Sequence, residues 1–195
     1  MKENDKRYRI IDAGLKLLDL NGYNGTGISD ILNETNIPKG SFYHYFKSKE
    51  VFTGEVISRY EEYVKKSIGE MLLDESVEPL QRIRNLYKGY TDSYIRTSRF
   101  AYGGFASKLN HEVGDKSKII RDAANKVFNS IKEAHIHCLE QAVSSGEIHK
   151  DIDAGELAEL IIYAWEGAIL RMRGSSSIDS LLLFAKMLDE VLLRK

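Results

Sequence analysis

Proline interrupts this 195-residue chain only twice, at Pro38 and Pro79. A proline inside a helix removes one hydrogen bond and clashes with the preceding turn, so its scarcity leaves long stretches free to be helical. No segment sustains the apolar/polar alternation that a half-buried strand requires. The chain therefore reads as all-α. With 43% hydrophobic residues it can bury a sizeable core, as one domain or as a small domain joined to a larger one.

The helical period can be followed along the chain. In a first helix over about 4–21, Ile10, Ala13, Leu17 and Leu20 fall on one stripe, widened by Ile11, Leu15 and Leu18. Gly22 ends it at the position that favours a left-handed backbone. Thr26 reads as the N-cap of a two-turn helix, GISDILNET, that buries Ile28, Ile31 and Leu32. Asn36 opens a short turn and Ile37 points back to the core. Pro38 suits the first position of a second two-turn helix, PKGSFYHYF, because its missing N–H would be unsatisfied there anyway. Ser48 caps a fourth helix reaching about residue 73, with Glu50 in the first turn, where the helix dipole favours a carboxylate. Beyond a break near DESVEP, longer helices are expected at roughly 78–97, 100–110, 116–145, 154–173 and 177–194, the fourth opening on the capping-box-like Asp153-Ala-Gly-Glu156. The expected division is a three-helix unit at 1–47 and a larger helical body at 48–195.

Charge and cysteine content narrow the function classes. The net charge is −1, so nucleic-acid binding would have to come from a local patch. Residues 1–50 carry eight Lys/Arg against seven Asp/Glu, a net of +1, but 35–49 hold Lys39, Lys47 and Lys49 and no carboxylate. The single cysteine excludes an intrachain disulfide and suits a reducing cytosol. The N-terminal residues lack the apolar core of a secretory signal, and the apolar clusters are too short and too charged to span a bilayer. A cytoplasmic protein with no membrane partner is expected.

Two short helices joined by a tight turn and packed on a first helix form a helix-turn-helix, whose second helix enters the DNA major groove. The stretch IPKGSFYHYFKSKE sorts by role in that frame. Phe42 and Phe46, four residues apart, face inward with Ile31 and Ile37. Lys39, Ser41, Tyr43 and His44 face outward, and Gly40 removes a side chain so that backbones can approach closely. Ser41 and Tyr43 can donate hydrogen bonds to phosphate or base edges, and the Tyr43 ring can contact a thymine methyl. Lys49 and Thr26, each at a helix N-terminus, are candidate phosphate contacts. Tyr45 is left between two placements, against the fourth helix or on the phosphate backbone.

These residues carry a resemblance. T-x-I-x-D-I-L followed by I-P-K-G-S-F-Y-H-Y-F-K-S-K-E, within about residues 8–55, resembles the DNA-binding signature of the TetR family of transcriptional regulators. The resemblance implies DNA contacts at Thr26, Lys39, Gly40, Ser41, Tyr43, His44 and Lys49, with Gly40 and Phe46 also structural. It implies an all-α homodimer, with a helix-turn-helix domain at 1–47 and a ligand-binding and dimerisation domain at 48–195. Such a protein would bind a palindromic operator on double-stranded DNA and be released by a small-molecule effector. Gly27 departs from the pattern, where a residue with a side chain is usual, and is expected to weaken the second helix slightly.

In the body, Ile83, Tyr87, Tyr90 and Tyr94 share a helical stripe, and Phe100, Tyr102, Phe105, Phe128 and Trp165 add further rings. Core packing explains any one ring. Taken together, Tyr87, Tyr90, Tyr94, Phe105, Phe128 and Trp165 are candidates to line a pocket for a planar aromatic ligand or a lipophilic cation. Gly103-Gly104 reads as a loop or bend. Some TetR-like sensors of electrophiles carry a reactive cysteine in the region corresponding to FAYGGFASKLN; this segment has none, which argues against that mechanism at that site. In HIHC, His135 and Cys138 share a face but no further ligand is fixed nearby, so a packed thiol is preferred to a metal site. Redox sensing by Cys138 would need an exposed, activated thiolate. The segments 154–173 and 177–194 are apolar over much of their circumference. A two-fold four-helix interface would cover them, through Leu160, Ala164, Ala168, Leu181, Phe184 and Leu188; burial within one subunit is the alternative. No catalytic constellation, metal motif or phosphate loop is evident, and no cofactor is called for. An unadvertised helical enzyme, or a helix-turn-helix protein acting through partners, remain the other classes.

Overall fold

The computed structural model describes residues 3–97 and 104–193. Among them the chain is helical throughout, in nine α-helices and a final π-helical turn: α1 (Glu3–Asn21), α2 (Ile28–Thr35), α3 (Lys39–Tyr45), α4 (Lys49–Leu72), α5 (Pro79–Thr97), α6 (Phe105–Val113), α7 (Lys118–Ser144), α8 (Ala154–Ser175), α9 (Asp179–Met187) and the turn Leu188–Leu192. The expected helix over 100–110 begins partly outside the described residues, as do Phe100, Tyr102 and Gly103. Gly104 has φ +78°, so the bend expected there is present.

The helix ends follow from local chemistry. Gly22, at φ +76°, ends α1 in the left-handed region, and Asn36, at φ 54°, does the same for α2. The Ser48 hydroxyl accepts from Val51 N–H at 3.1 Å, and Asp153 accepts from Glu156 N–H at 2.9 Å, each capping a helix start. Thr26 does not cap α2. The N-cap is Gly27, whose own N–H donates to the Asp30 carboxylate at 2.8 Å. Gly27 therefore lies just before the helix rather than inside it, where glycine costs only a few tenths of a kcal/mol against the preferred caps.

Two compact units are formed. The first comprises residues 1–63 and 105–128, so α6 and the start of α7 belong with the helix-turn-helix, whereas a purely sequential division at residue 47 leaves them out. Its core gathers Ile10, Ile11, Leu18, Ile31, Leu32, Phe42, Phe46, Phe52, Val56, Leu109 and Ile120. Leu20, expected on the apolar stripe of α1, is instead exposed. The Phe42, Phe46 and Phe52 rings lie 5.0–5.3 Å apart, centroid to centroid, and all three are fully buried. This aromatic triangle holds a helix of seven residues, too short to persist by itself, against α4. Arg7 adds a cation over the Phe46 ring at 5.5 Å and an ion pair to Glu55.

The second unit comprises residues 64–104 and 129–195. Its core includes Leu72, Ile83, Leu86, Tyr87, Cys138, Leu139, Ile161, Trp165, Leu181 and Phe184. Arg82 is buried there, yet its guanidinium is well partnered. It donates to the carbonyls of Val77 (2.6 Å) and Leu72 (3.2 Å) and to Gln141 Oε1 (2.7 Å), closing the end of α4 onto α5 and α7.

Candidate functional site

On α3 the inward and outward faces separate cleanly. Phe42 is fully buried, and Tyr43, one residue on, is 54% exposed, its ring set edge-on to Phe42 at 5.5 Å. His44 is exposed and Ser41 half-buried. A Cβ added at Gly40 would meet nothing within 4 Å, so the space the glycine leaves is open rather than filled by the protein itself. Lys39 opens α3, and its side chain lies outside the described set. Tyr45 is half-buried, its ring 6.2 Å from Phe46 and 5.1 Å from His44.

Two candidate contacts turn out differently from the expectation. Thr26 is completely buried, and its hydroxyl donates to the carbonyls of Gly22 (2.7 Å) and Leu17 (3.2 Å). The hydroxyl ties the α1–α2 turn to α1 and is turned away from solvent. The Lys49 ammonium donates to the Tyr23 carbonyl at 2.5 Å and sits 4.2 Å above the Tyr23 ring. Partial burial lowers its pKa, opposed by the nearby Glu112 and Asp30 carboxylates. In this arrangement Lys49 fastens the same turn.

The aromatic candidates fall in two places. Tyr87, Tyr90 and Trp165 come together in the second unit: the Tyr87 ring lies 5.1 Å from Trp165, and Tyr90 stacks on Trp165 at 6.0 Å. Sequence reasoning did not include Phe184 or His135 in this group. Phe184 is 4.9 Å from Tyr87 and 5.1 Å from Trp165, and His135 Nε2 is 2.9 Å from the Tyr87 hydroxyl. Tyr94 is half-buried in the same unit. Phe105 and Phe128 belong to the first unit, where Phe105 packs on Tyr60 at 4.9 Å.

His135 and Cys138 are both buried. Burial holds the His135 imidazole neutral, its pKa lowered to about 4, with Nδ1 bonded to the Ile131 carbonyl. The Cys138 thiol donates to the Pro79 carbonyl at 3.2 Å, and burial raises its pKa to about 11. Neither an activated thiolate nor, among the described residues, a cluster of metal-binding side chains is present. No helix of the described residues is long and apolar enough to cross a membrane.

The apolar face of α8 and α9 is also redistributed. Ala168, Leu181, Phe184 and Leu188, expected at an interface, are buried within the chain's own second unit. Leu160 and Ala164 are exposed, in line with Tyr163, Gly167 and the 68%-exposed Leu170 on α8. On α9, Leu182 and Leu183 are exposed. An apolar stripe thus remains uncovered on α8, and two adjacent leucines on α9.

Family models match both parts of the chain. Residues 10–56 match the bacterial regulatory proteins of the tetR family, and residues 79–187 match the tetracyclin repressor-like C-terminal domain. The chain belongs to the TetR family. It is a helix-turn-helix transcriptional regulator with an all-helical C-terminal domain, like its relatives. The transcriptional regulator AcuR of Cereibacter sphaeroides is 34% identical, over 84% of this chain and 74% of that one. The transcriptional repressor NemR of Escherichia coli K12 is 31% identical over 92% and 89%, and the repressor DhaR of Mycobacterium sp. GP1 is 28% identical over 99% and 95%. Among solved structures, the reduced form of E. coli NemR superposes with a TM-score of 0.88 at 26% identity, covering 96% of each chain. A TetR regulatory protein from Rhodobacter sphaeroides superposes with a TM-score of 0.84 at 32% identity, covering 93% of this chain and 95% of that one.

Proposed function

We propose that this TetR-family regulator is a cytoplasmic repressor that binds a palindromic operator as a dimer and leaves it when a small molecule binds. It acts by binding and needs no catalysis. The observation that carries this reading is the division of α3. Phe42 and Phe46 lock the helix down while Tyr43, His44 and the open edge at Gly40 face solvent. Tyr43 and His44 read base edges or the thymine methyl, and Ser41 and Lys39 hold phosphates.

The dimer forms through the uncovered residues, Leu160, Tyr163, Ala164 and Leu170 on α8 with Leu182 and Leu183 on α9. Apolar residues so exposed on two adjacent helices are costly to leave in water, and a two-fold partner presents the same residues. Two α3 helices then address half-sites about 34 Å apart. An effector that binds one spacing of these helices better than another shifts the population away from the DNA-bound form.

The effector site is built around Tyr87, Tyr90 and Trp165. The Tyr87 hydroxyl and His135 already satisfy each other, so that pair adds no hydrogen bond for recognition and the aromatic rings around it carry the site. A planar aromatic molecule or a lipophilic cation fits that chemistry. A gel-shift with the full-length protein and the DNA upstream of its own coding sequence tests the reading. A shift that a dimer-disrupting variant abolishes supports it, and no shift at low salt overturns it.

A further inference from the structure

The α1–α2 turn, residues 22–26, is held from two directions by charged side chains. From α6, the Glu112 carboxylate accepts the backbone N–H of Tyr23 through Oε2 and of Asn24 through Oε1, each at 2.7 Å. From the start of α4, the Lys49 ammonium takes the Tyr23 carbonyl. Lys108, one turn before Glu112 on α6, donates to the Asp19 carbonyl at 2.6 Å, covering the end of α1. The space for the carboxylate depends on Gly22. A Cβ there would stand 2.6 Å from Glu112 Oε2, and the residue's φ of +76° already disfavours any side chain. All of these groups lie in the first unit, which α6 joins although it is about ninety residues distant in sequence from the turn.

We propose that Glu112 is a positioning residue for operator binding, the tie by which α6 fixes the turn that sets α2, and through it α3, in reading position. The proposal rests on the DNA-binding function above. A carboxylate that accepts two backbone N–H groups forms charge-assisted bonds, stronger than neutral ones and fixed in direction. It grips backbone, so it sets the position of the turn whatever side chains the turn carries. With the tie cut, the helix-turn-helix must be ordered at the moment of DNA binding, and that cost appears as lost affinity.

Electrostatics makes the test decisive in sign. Removing a carboxylate from a DNA-binding unit should by charge alone strengthen binding, whereas loss of positioning weakens it. The experiment compares the full-length protein with Glu112→Gln, Glu112→Ala and, as a charge control, Asp115→Asn at an exposed site nearby. Binding is read by anisotropy on labelled DNA from upstream of its own gene, well below the unfolding temperature, with dimer and helix content checked by sedimentation and circular dichroism. Amide exchange at Tyr23 and Asn24 is read by mass spectrometry. The proposal expects faster exchange at both amides in Glu112→Ala and at least about a tenfold loss of affinity. A smaller loss is expected in Glu112→Gln, which keeps one acceptor and so covers the case of a poorly folding alanine variant, and none in Asp115→Asn. Equal or tighter DNA binding by the Glu112 variants overturns it, as does unchanged amide exchange. Failure of the unaltered protein to bind DNA would instead remove the operator-binding function, and this inference with it.

Discussion

The Tyr87 hydroxyl donates to His135 Nε2 across 2.9 Å inside the second unit, with both residues buried and the imidazole's other nitrogen bonded to the Ile131 carbonyl. The pair is satisfied only while His135 is neutral, since a protonated ring has no acceptor for the tyrosine proton. Its folded pKa, about 4, lies below the ordinary imidazole value of 6.5, because burial disfavours the charged ring. The unfolded chain thus binds more protons between those values, and stability rises with pH across that window. The contribution is complete above about pH 6.5 and is lost as pH falls toward 4. Denaturant midpoints measured from pH 7.5 down to 4.5 should fall, and His135→Gln should remove about one proton's worth of that slope. Tyr87→Phe should destabilise the protein by about 1–3 kcal/mol by leaving a buried acceptor unpaired.

Cys138 should not sense oxidants. Its thiol is buried and hydrogen-bonded to the Pro79 carbonyl, and its pKa is raised to about 11. A thiol-reactive dye should label the protein only in denaturant, and Cys138→Ala should leave operator affinity unchanged before and after peroxide treatment. Rapid labelling of the folded protein would contradict the burial.

The two faces of α9 make opposite predictions for neighbouring leucines. Leu181 is fully buried, so Leu181→Ala should cost about 2–5 kcal/mol of stability. Leu183 is 59% exposed, so Leu183→Glu, or Leu170→Glu on α8, should leave the fold intact and convert the dimer to monomers in sedimentation velocity. A dimer that survives both glutamates would place the interface elsewhere.

The limits of sequence reasoning are clear at these positions. Pattern alone located the helices, because capping residues such as Gly22, Ser48 and Asp153 mark their ends locally. It separated Phe42 and Phe46 from Tyr43 and His44, because a two-turn helix with a single apolar pair admits one inward face. It did not separate Leu181, Phe184 and Leu188 from Leu182 and Leu183, because a helix apolar around most of its circumference has no unique buried stripe. Thr26 reads as a cap because threonine before a short helix usually is one. Only the three-dimensional turn reveals that its hydroxyl faces back to Gly22 and Leu17. The Glu112 tie leaves no sequence signal at all, since it joins a side chain to backbone amides that any residue would supply.

Within α3, neighbouring rings should separate stability from recognition. Phe42→Ala should destabilise the protein by about 3–5 kcal/mol, because it empties the aromatic triangle with Phe46 and Phe52. Thermal unfolding compared between Phe42→Ala and Tyr43→Ala checks this, with the melting temperature of the Tyr43 variant close to that of the unaltered protein.

The central claim is that the outward face of α3 reads DNA. Its most direct test is a salt-titrated affinity measurement on DNA from upstream of the protein's own gene, for the unaltered protein and for Tyr43→Ala. Affinity for the unaltered protein should fall steeply and linearly on logarithmic axes as salt rises. Tyr43→Ala, still folded and dimeric, should bind at least about tenfold more weakly at every salt concentration. Equal affinity for the two proteins, or no salt-dependent binding by either, would contradict it.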